Sequence, residues 1–352
     1  MRRITVLVLA LALVLAAASP VAARSQRAGG DTTVTLMTHD SFNVSKKVLK
    51  VFERRSGIHI DILRSGDAGA ALNQAILTKG DPLGDVFFGV DNTLLSRAVD
   101  EGVFEPYDAP ALSKVGRDVQ LDPTHHVTPV DTGDVCINYD KRYFAKEKVP
   151  TPASLDDLTK PDYDDLLVVE NAATSSPGLA FLLATVAEFG EDGWQDYWQR
   201  LRDNGVTVVD GWEQAYNEEF SGAAAGEGDH PLVVSYASSP PAEVIYADPR
   251  PKRAPTASLL SSCFRQIEFA GILDGTAHRR AAEQVVDFLL SRPFQEDMPL
   301  QMFVYPVLEG AQLPPAFVKY AQVAPDPLSL PPAEIAANRD RWIDQWTDIV
   351  LR

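Results

Sequence analysis

The side chains best placed to do chemistry in this chain are carboxylates, hydroxyls and two aromatics at the ends of short apolar runs. His39-Asp40-Ser41, Gly66-Asp67 and Asp91-Asn92 each stand where such a run stops. Carboxylates converging at strand ends would attract a cation. Taken singly, Asp, Asn and Ser in these places also form turns and cap helices. Thr174, Ser175 and Ser176 precede Pro177-Gly178. That arrangement opens a helix, and free N–H groups with the helix dipole favour an anion there. One of these hydroxyls is expected to cap the helix. Trp212 and Tyr236 sit at strand–loop junctions, where an indole or phenol either stacks on a flat ring or plugs the core.

Signatures of catalysis are sparse. The chain has no GxSxG elbow, GxxxxGK[ST] loop, GxGxxG turn or HExxH helix. Glu227-Gly228-Asp229-His230 has ExxH spacing in a Gly-rich setting that reads as a loop, and His125-His126 reads as a solvated pair. No metal site, cofactor or enzymatic activity is expected. A secreted hydrolase or transferase would require a nucleophile–base pair that no spacing here supplies.

The elements that must position these groups alternate between strand and helix. Residues 32–38 form a β-branched strand; Val44, Val48, Leu49 and Phe52 recur at helical spacing up to Gly57; Ile58, Ile60 and Ile62 alternate as a second strand. A helix over 70–78, a buried strand over 86–90 and a short helix over 94–99 follow. This order predicts parallel pairing with right-handed crossovers, and such sheets bind ligands beyond the carboxyl ends of their strands. A second α/β unit has strands over 166–169, 206–209 and 232–236, with a helix from Ser176 to Phe189. The spacing then predicts a strand over 265–272, a helix over 281–290, a Pro-rich surface connection over 313–332, and an amphipathic helix from Pro332 carrying Ile335, Trp342, Trp346 and Ile349 on one stripe.

At 352 residues the chain is long enough for about two lobes, and 45% apolar with 23% charged residues is globular composition. The net charge of −17 repels phosphate backbones and anionic headgroups, which argues against nucleic acid as a partner. Arg2-Arg3, the apolar run from Val6 to Ala18 and the small residues to Ala23 predict a signal peptide over 1–23 and a periplasmic mature chain. No cysteine near that cleavage site could carry a lipid. The two cysteines, Cys136 and Cys263, either form one disulfide in an oxidising compartment or remain buried thiols.

Several stretches together resemble the thiamine-binding periplasmic proteins of ABC importers. They are Asp40-Ser41-Phe42, GVDNTLL (Gly89–Leu95), SSPGLAFLL (Ser175–Leu183), GWEQAY (Gly211–Tyr216), SYASSP (Ser235–Pro240), VYPV (Val304–Val307) and the helix Pro332–Trp346. They span nearly the whole chain after residue 23. The resemblance implies an α/β type II periplasmic binding fold: two lobes joined by a hinge, with thiamine or its phosphate esters captured between them and delivered to a membrane permease. Trp212 and Tyr236 would be aromatic walls, Ser175 and Ser176 a phosphate-end contact. Asp40, Asp67 and Asp91 would place carboxylates near the aminopyrimidine or thiazolium. His39, Ser41, Asp131, Tyr216, Ser235, Ser239, Phe303 and Tyr305 would complete the ligand-binding set.

The family usually has Tyr where this chain has His39, Trp at Phe303, and often Tyr at Ala242, so the aromatic cage is thinner. Another cationic or phosphorylated small molecule is the alternative ligand. Ferric iron is disfavoured, because Tyr236 is followed by Ala237 and not by a second tyrosine. One lobe is expected to comprise 31–135 and 264–307, the other 136–263 and 308–352. The chain would cross near Asp131–Asp140 and again near Ser258–Arg265, with Cys136 and Cys263 on neighbouring crossover strands. A monomer is expected.

Overall fold

The computed structural model describes residues 32–224 and 226–352; the expected signal peptide, 1–23, lies outside the described residues. β1 (Thr32–Thr38) is followed by α1 (Lys46–Ser56). The Ser45 side chain caps α1 by accepting the Val48 N–H, and Gly57 ends it at φ 72°, a left-handed conformation that costs a residue without Cβ little. β2 (Ile58–Arg64), α2 (Ala68–Leu77), β3 (Val86–Asp91), α3 (Leu95–Asp100) and β4 (Phe104–Glu105) follow. β1 pairs with β2 and with β3 in parallel, as the strand–helix order demands.

Next come β5 (Thr128–Asp140), α4 (Lys141–Glu147), β6 (Leu167–Glu170), α5 (Ser176–Phe189), α6 (Trp194–Asp203), β7 (Thr207–Val209), β8 (Leu232–Tyr236) and α7 (Ala242–Ile245). The chain closes with β9 (Thr256–Leu273), α8 (Arg279–Leu289), α9 (Arg292–Asp297), β10 (Tyr305–Pro306), α10 (Pro315–Tyr320) and α11 (Pro332–Val350). The sheet order is β2-β1-β3-β9-β5-β8-β6-β7. β3 borders one stretch of β9, and β8 borders the later half of β5; both contacts are antiparallel. The long pair β5–β9 therefore belongs to both ends of the sheet.

Two sequence expectations are corrected here. β5 is longer than the crossover strand expected near Asp131–Asp140, because its Pro, Gly and three Asp residues hide an almost wholly buried strand. The strand expected over 265–272 begins at Thr256 and runs antiparallel to its neighbours. The Pro-rich stretch also contains the short helix α10, opened by Pro315.

One apolar cluster joins Val34, Phe88, Val286 and Phe294 around β1, β3, α8 and α9. A larger one includes Leu72, Phe181, Trp198 and Trp346. The paired chains open at the β5–β9 bulge, where residues 135–137 face residues 259–264, and there Cys136 and Cys263 form a disulfide with Cα atoms 4.2 Å apart. Among the described residues no helix is long and apolar enough to cross a membrane.

Candidate functional site

The carboxyl ends of β1 and β2, the N-termini of α2 and α5, and the loops after β7 and β8 surround one cleft. Its floor is lined by His39, Ser41, Asp67, Ser176, Trp212, Tyr236 and Glu268, with Pro177, Met302 and Val304. Six of these are sequence-predicted. Asp40 and Ser41 extend the lining into two adjoining hollows, one of which also reaches Tyr216 and Phe303.

Asp67 organises the junction between α2 and the loop after β7. It caps α2 by accepting the Ala68 N–H at 2.6 Å, and its second oxygen accepts the Trp212 N–H at 2.9 Å. Trp212 is held on its other sides: its indole N–H donates to Ser235 Oγ at 3.0 Å and its ring stacks on Tyr216 at 4.9 Å. Ser239 hydrogen-bonds Ser235 beneath it. Ser235, Ser239 and Tyr216 thus orient the indole. Tyr236 lies against β5 at Gly133, where a Cβ would sit 2.7 Å from its ring, so only glycine permits that approach. Its hydroxyl donates to Gln266, whose amide donates to Ser176 Oγ.

Glu268, and Gln266 beside it, are polar groups at the cleft floor that sequence reasoning missed. The signal was present: a Glu and a Gln two positions apart share one face of β9, next to the apolar run Phe269–Leu273. Glu268 Oε1 lies 3.2 Å from His39 Nε2. Burial alone would lower the His39 pKa, but Glu268, with Asp67 and Asp40, raises it above the usual imidazole value.

Asp131 and Asp91 lie behind the lining and not on it. Asp131 stands directly opposite Glu268 across β5–β9. Two ionised carboxylates there would repel. Burial, and then Glu268, hold the Asp131 pKa well above the carboxylate range. Asp91 is fully buried and accepts from the Thr93 hydroxyl and from the Thr93 and Leu94 N–H groups. Ser175 caps α5 through the Gly178 N–H. Tyr305 packs edge-on against Phe317 beside β5, apart from these hollows.

Burial pushes the Asp91 pKa up to about 7. Its unfolded value is near 3.8, so between these values the folded chain holds a proton that the unfolded chain has released. The Asp91 contribution to stability is therefore present at acid pH and is lost as pH rises from about 3.8 through 7. His39, raised by its partners, acts in the same direction. We expect Asp91 to cost about 2 kcal/mol of unfolding free energy between pH 5.5 and 8. Urea unfolding at both pH values checks this, and Asp91→Asn should flatten the slope; an unchanged slope would refute it.

At the expected ExxH loop, His230 Nδ1 faces Asp229 at 3.2 Å and Glu219 at 3.6 Å, while Nε2 meets the Thr207 hydroxyl. Glu227 is not part of this group.

Residues 81–248 match the family model of bacterial extracellular solute-binding proteins. The chain is 31% identical over 327 residues to the thiamine-binding periplasmic protein of Escherichia coli K12, covering 91% of this chain and 94% of that one. It is 28% identical to the protein of the same name from Brucella suis, covering 89% and 91%. A solved periplasmic thiamin binding protein superposes with TM-score 0.78 at 28% identity, over 91% of this chain and 96% of that one. The sugar-phosphate-bound AfuA of Actinobacillus pleuropneumoniae superposes at 0.76 with 19% identity, over 92% and 99%, and shares the fold.

Proposed function

Because the chain belongs to the family of thiamine-binding periplasmic proteins, we propose that it captures thiamine, or a phosphate ester of it, in this cleft and hands it to an ABC permease. The fold is the two-lobed α/β type II binding fold, with the ligand site between lobes. In this reading the lobes are 31–135 with 264–307 and 136–263 with 308–352, and β5 and β9 carry the hinge. Export through the predicted signal peptide would deliver a single-chain receptor to the periplasm.

The observation that carries the proposal is the pairing of an oriented indole with buried acids. Trp212 is fixed edge and face by Ser235 and Tyr216, while Asp67 and Glu268 line the same floor. A thiazolium gains from stacking on the electron-rich face of an aromatic ring and from carboxylates removed from bulk water. Tyr236, tied to Gln266 and Ser176, bounds the opposite side. None of these groups has the geometry of a nucleophile with its base, so the ligand should be released unchanged. Recovery of intact thiamine after prolonged incubation checks that point.

Trp212→Ala is expected to weaken thiamine binding by about 1–3 kcal/mol, the scale of one stacking contact to a cation. Calorimetric titration measures the affinity, and thermal unfolding of the same variant measures stability. A large loss of stability with unchanged affinity would make Trp212 a packing residue and defeat its role as a ligand wall. Should the wild type bind no thiamine at millimolar concentration, the His39, Ala242 and Phe303 positions would mark a cleft for another cationic heterocycle.

A further inference from the structure

The cleft floor already holds a group able to carry positive charge. His39 Nε2 lies 3.2 Å from Glu268 Oε1, and both side chains line the floor beside Asp67 and Trp212. The imidazole is backed by β3: it packs against Phe88 with ring centroids 5.4 Å apart, and a Cβ at Gly89 would meet its Cδ2 at 2.9 Å. The ring has no room to retreat on that side, so its polar edge stays on Glu268.

Glu268 is the middle of three acids in register across the sheet. Asp91 of β3 and Asp131 of β5 are its paired neighbours on either side. Burial, with Glu268 adding to it, favours the neutral form of both flanking acids. The other acids acting on His39 are Asp67, at the start of α2, and Asp40 in its own loop. Tyr236 of β8 lines the same floor, and Arg64 of β2 donates to the backbone carbonyls of Asp40 and Phe42 at 3.2 and 3.0 Å. A proton on His39 therefore balances Glu268: burial opposes that proton, and Glu268, Asp67 and Asp40 outweigh the burial.

A thiazolium stacked on Trp212 must come to this same floor. Its fixed charge and an imidazolium would then share Glu268 and Asp67 in a site partly removed from water, where like charges repel more strongly than in bulk. An imidazole can shed its charge; a quaternary ring cannot. We infer that the cleft exchanges one cation for the other: His39 carries a proton while the cleft is empty and releases it when the cationic ligand settles beside Glu268. This rests on the thiamine-binding reading and adds a proton to its binding equilibrium. A tyrosine in place of His39 would have no positive charge to give up.

Thiamine affinity should then rise by up to about tenfold per pH unit as pH climbs toward the raised pKa of His39 in the empty cleft, and level off above it. Calorimetric titration of the mature chain with thiamine, from about pH 6 to 8.5 in buffers of different ionisation enthalpy, reads both the affinity and the protons released. The aminopyrimidine of thiamine titrates below this range and contributes none. About 0.5–1 proton should leave per thiamine bound at the acid end. His39→Gln keeps a hydrogen-bond donor toward Glu268 but cannot titrate, so it should abolish the release and flatten the affinity profile. NMR of the His39 ring in the wild type reads the same proton directly, and its titration should move to lower pH when thiamine is added. Release that persists in His39→Gln, or a ring titration that thiamine leaves unmoved, would overturn the role of His39. Thiamine binding with constant affinity and no proton released would overturn the exchange and leave the thiamine-binding reading standing. No binding at millimolar thiamine at any of these pH values would overturn that reading, and the exchange with it.

Discussion

Replacing Cys136 and Cys263 together by alanine should lower the free energy of unfolding by about 2–5 kcal/mol. The bridge closes a loop with a sequence separation of 127, so it removes much of the unfolded chain's freedom. It also sits at the wider of two irregularities in the β5–β9 pairing, in a small buried cluster with Ala237 and Ala324. Nearby, Ser262 Oγ accepts the Ile137 N–H that the bulge would otherwise leave unpaired. Urea unfolding of the double variant and of wild type with and without reductant gives the comparison. A difference below about 1 kcal/mol would mean that the surrounding sheet, and not the bridge, sets the stability of this crossing.

Trp346→Ala should cost about 3–5 kcal/mol, the range for deleting a buried aromatic. Trp346 is fully buried on α11 and meets Trp198 of α6 edge-to-face at 5.5 Å. Trp198 is in turn fixed by its indole N–H to Thr185 of α5. Losing Trp346 leaves a cavity between helices that cannot easily collapse, since Trp194, Tyr197 and Trp342 already fill the neighbouring volume. The Trp346 indole N–H has no hydrogen-bond partner, so Trp346→Phe should cost less, because it sacrifices packing without orphaning a polar group. Thermal and urea unfolding measure both variants. Thiamine affinity of the folded Trp346→Ala protein should match wild type, since the residue lies outside the cleft. A stability change under about 1 kcal/mol would show that α11 is dispensable for packing.

The sequence determined by itself those features that follow from local periodicity and capping. The parallel order of the first three strands, α1 ending at Gly57 and α5 opening at Ser175-Ser176-Pro177 are all written in short spacings. The motifs around Asp40, Trp212 and Tyr236 also named the family and six of the residues that line the cleft floor. What only tertiary structure decided are the long-range pairings. β5 looks unlike a strand because its acids and Gly133 are placed for partners more than a hundred residues away, among them Glu268, Arg265 and Tyr236. Glu268 gains its meaning only when His39 approaches from β1 and Asp131 lies across from it. Asp91 and Asp131 carry the right residue type for a cation site, yet the sheet buries them behind its lining. Burial and charge–charge distance are properties of the assembled chain, and local spacing does not encode them.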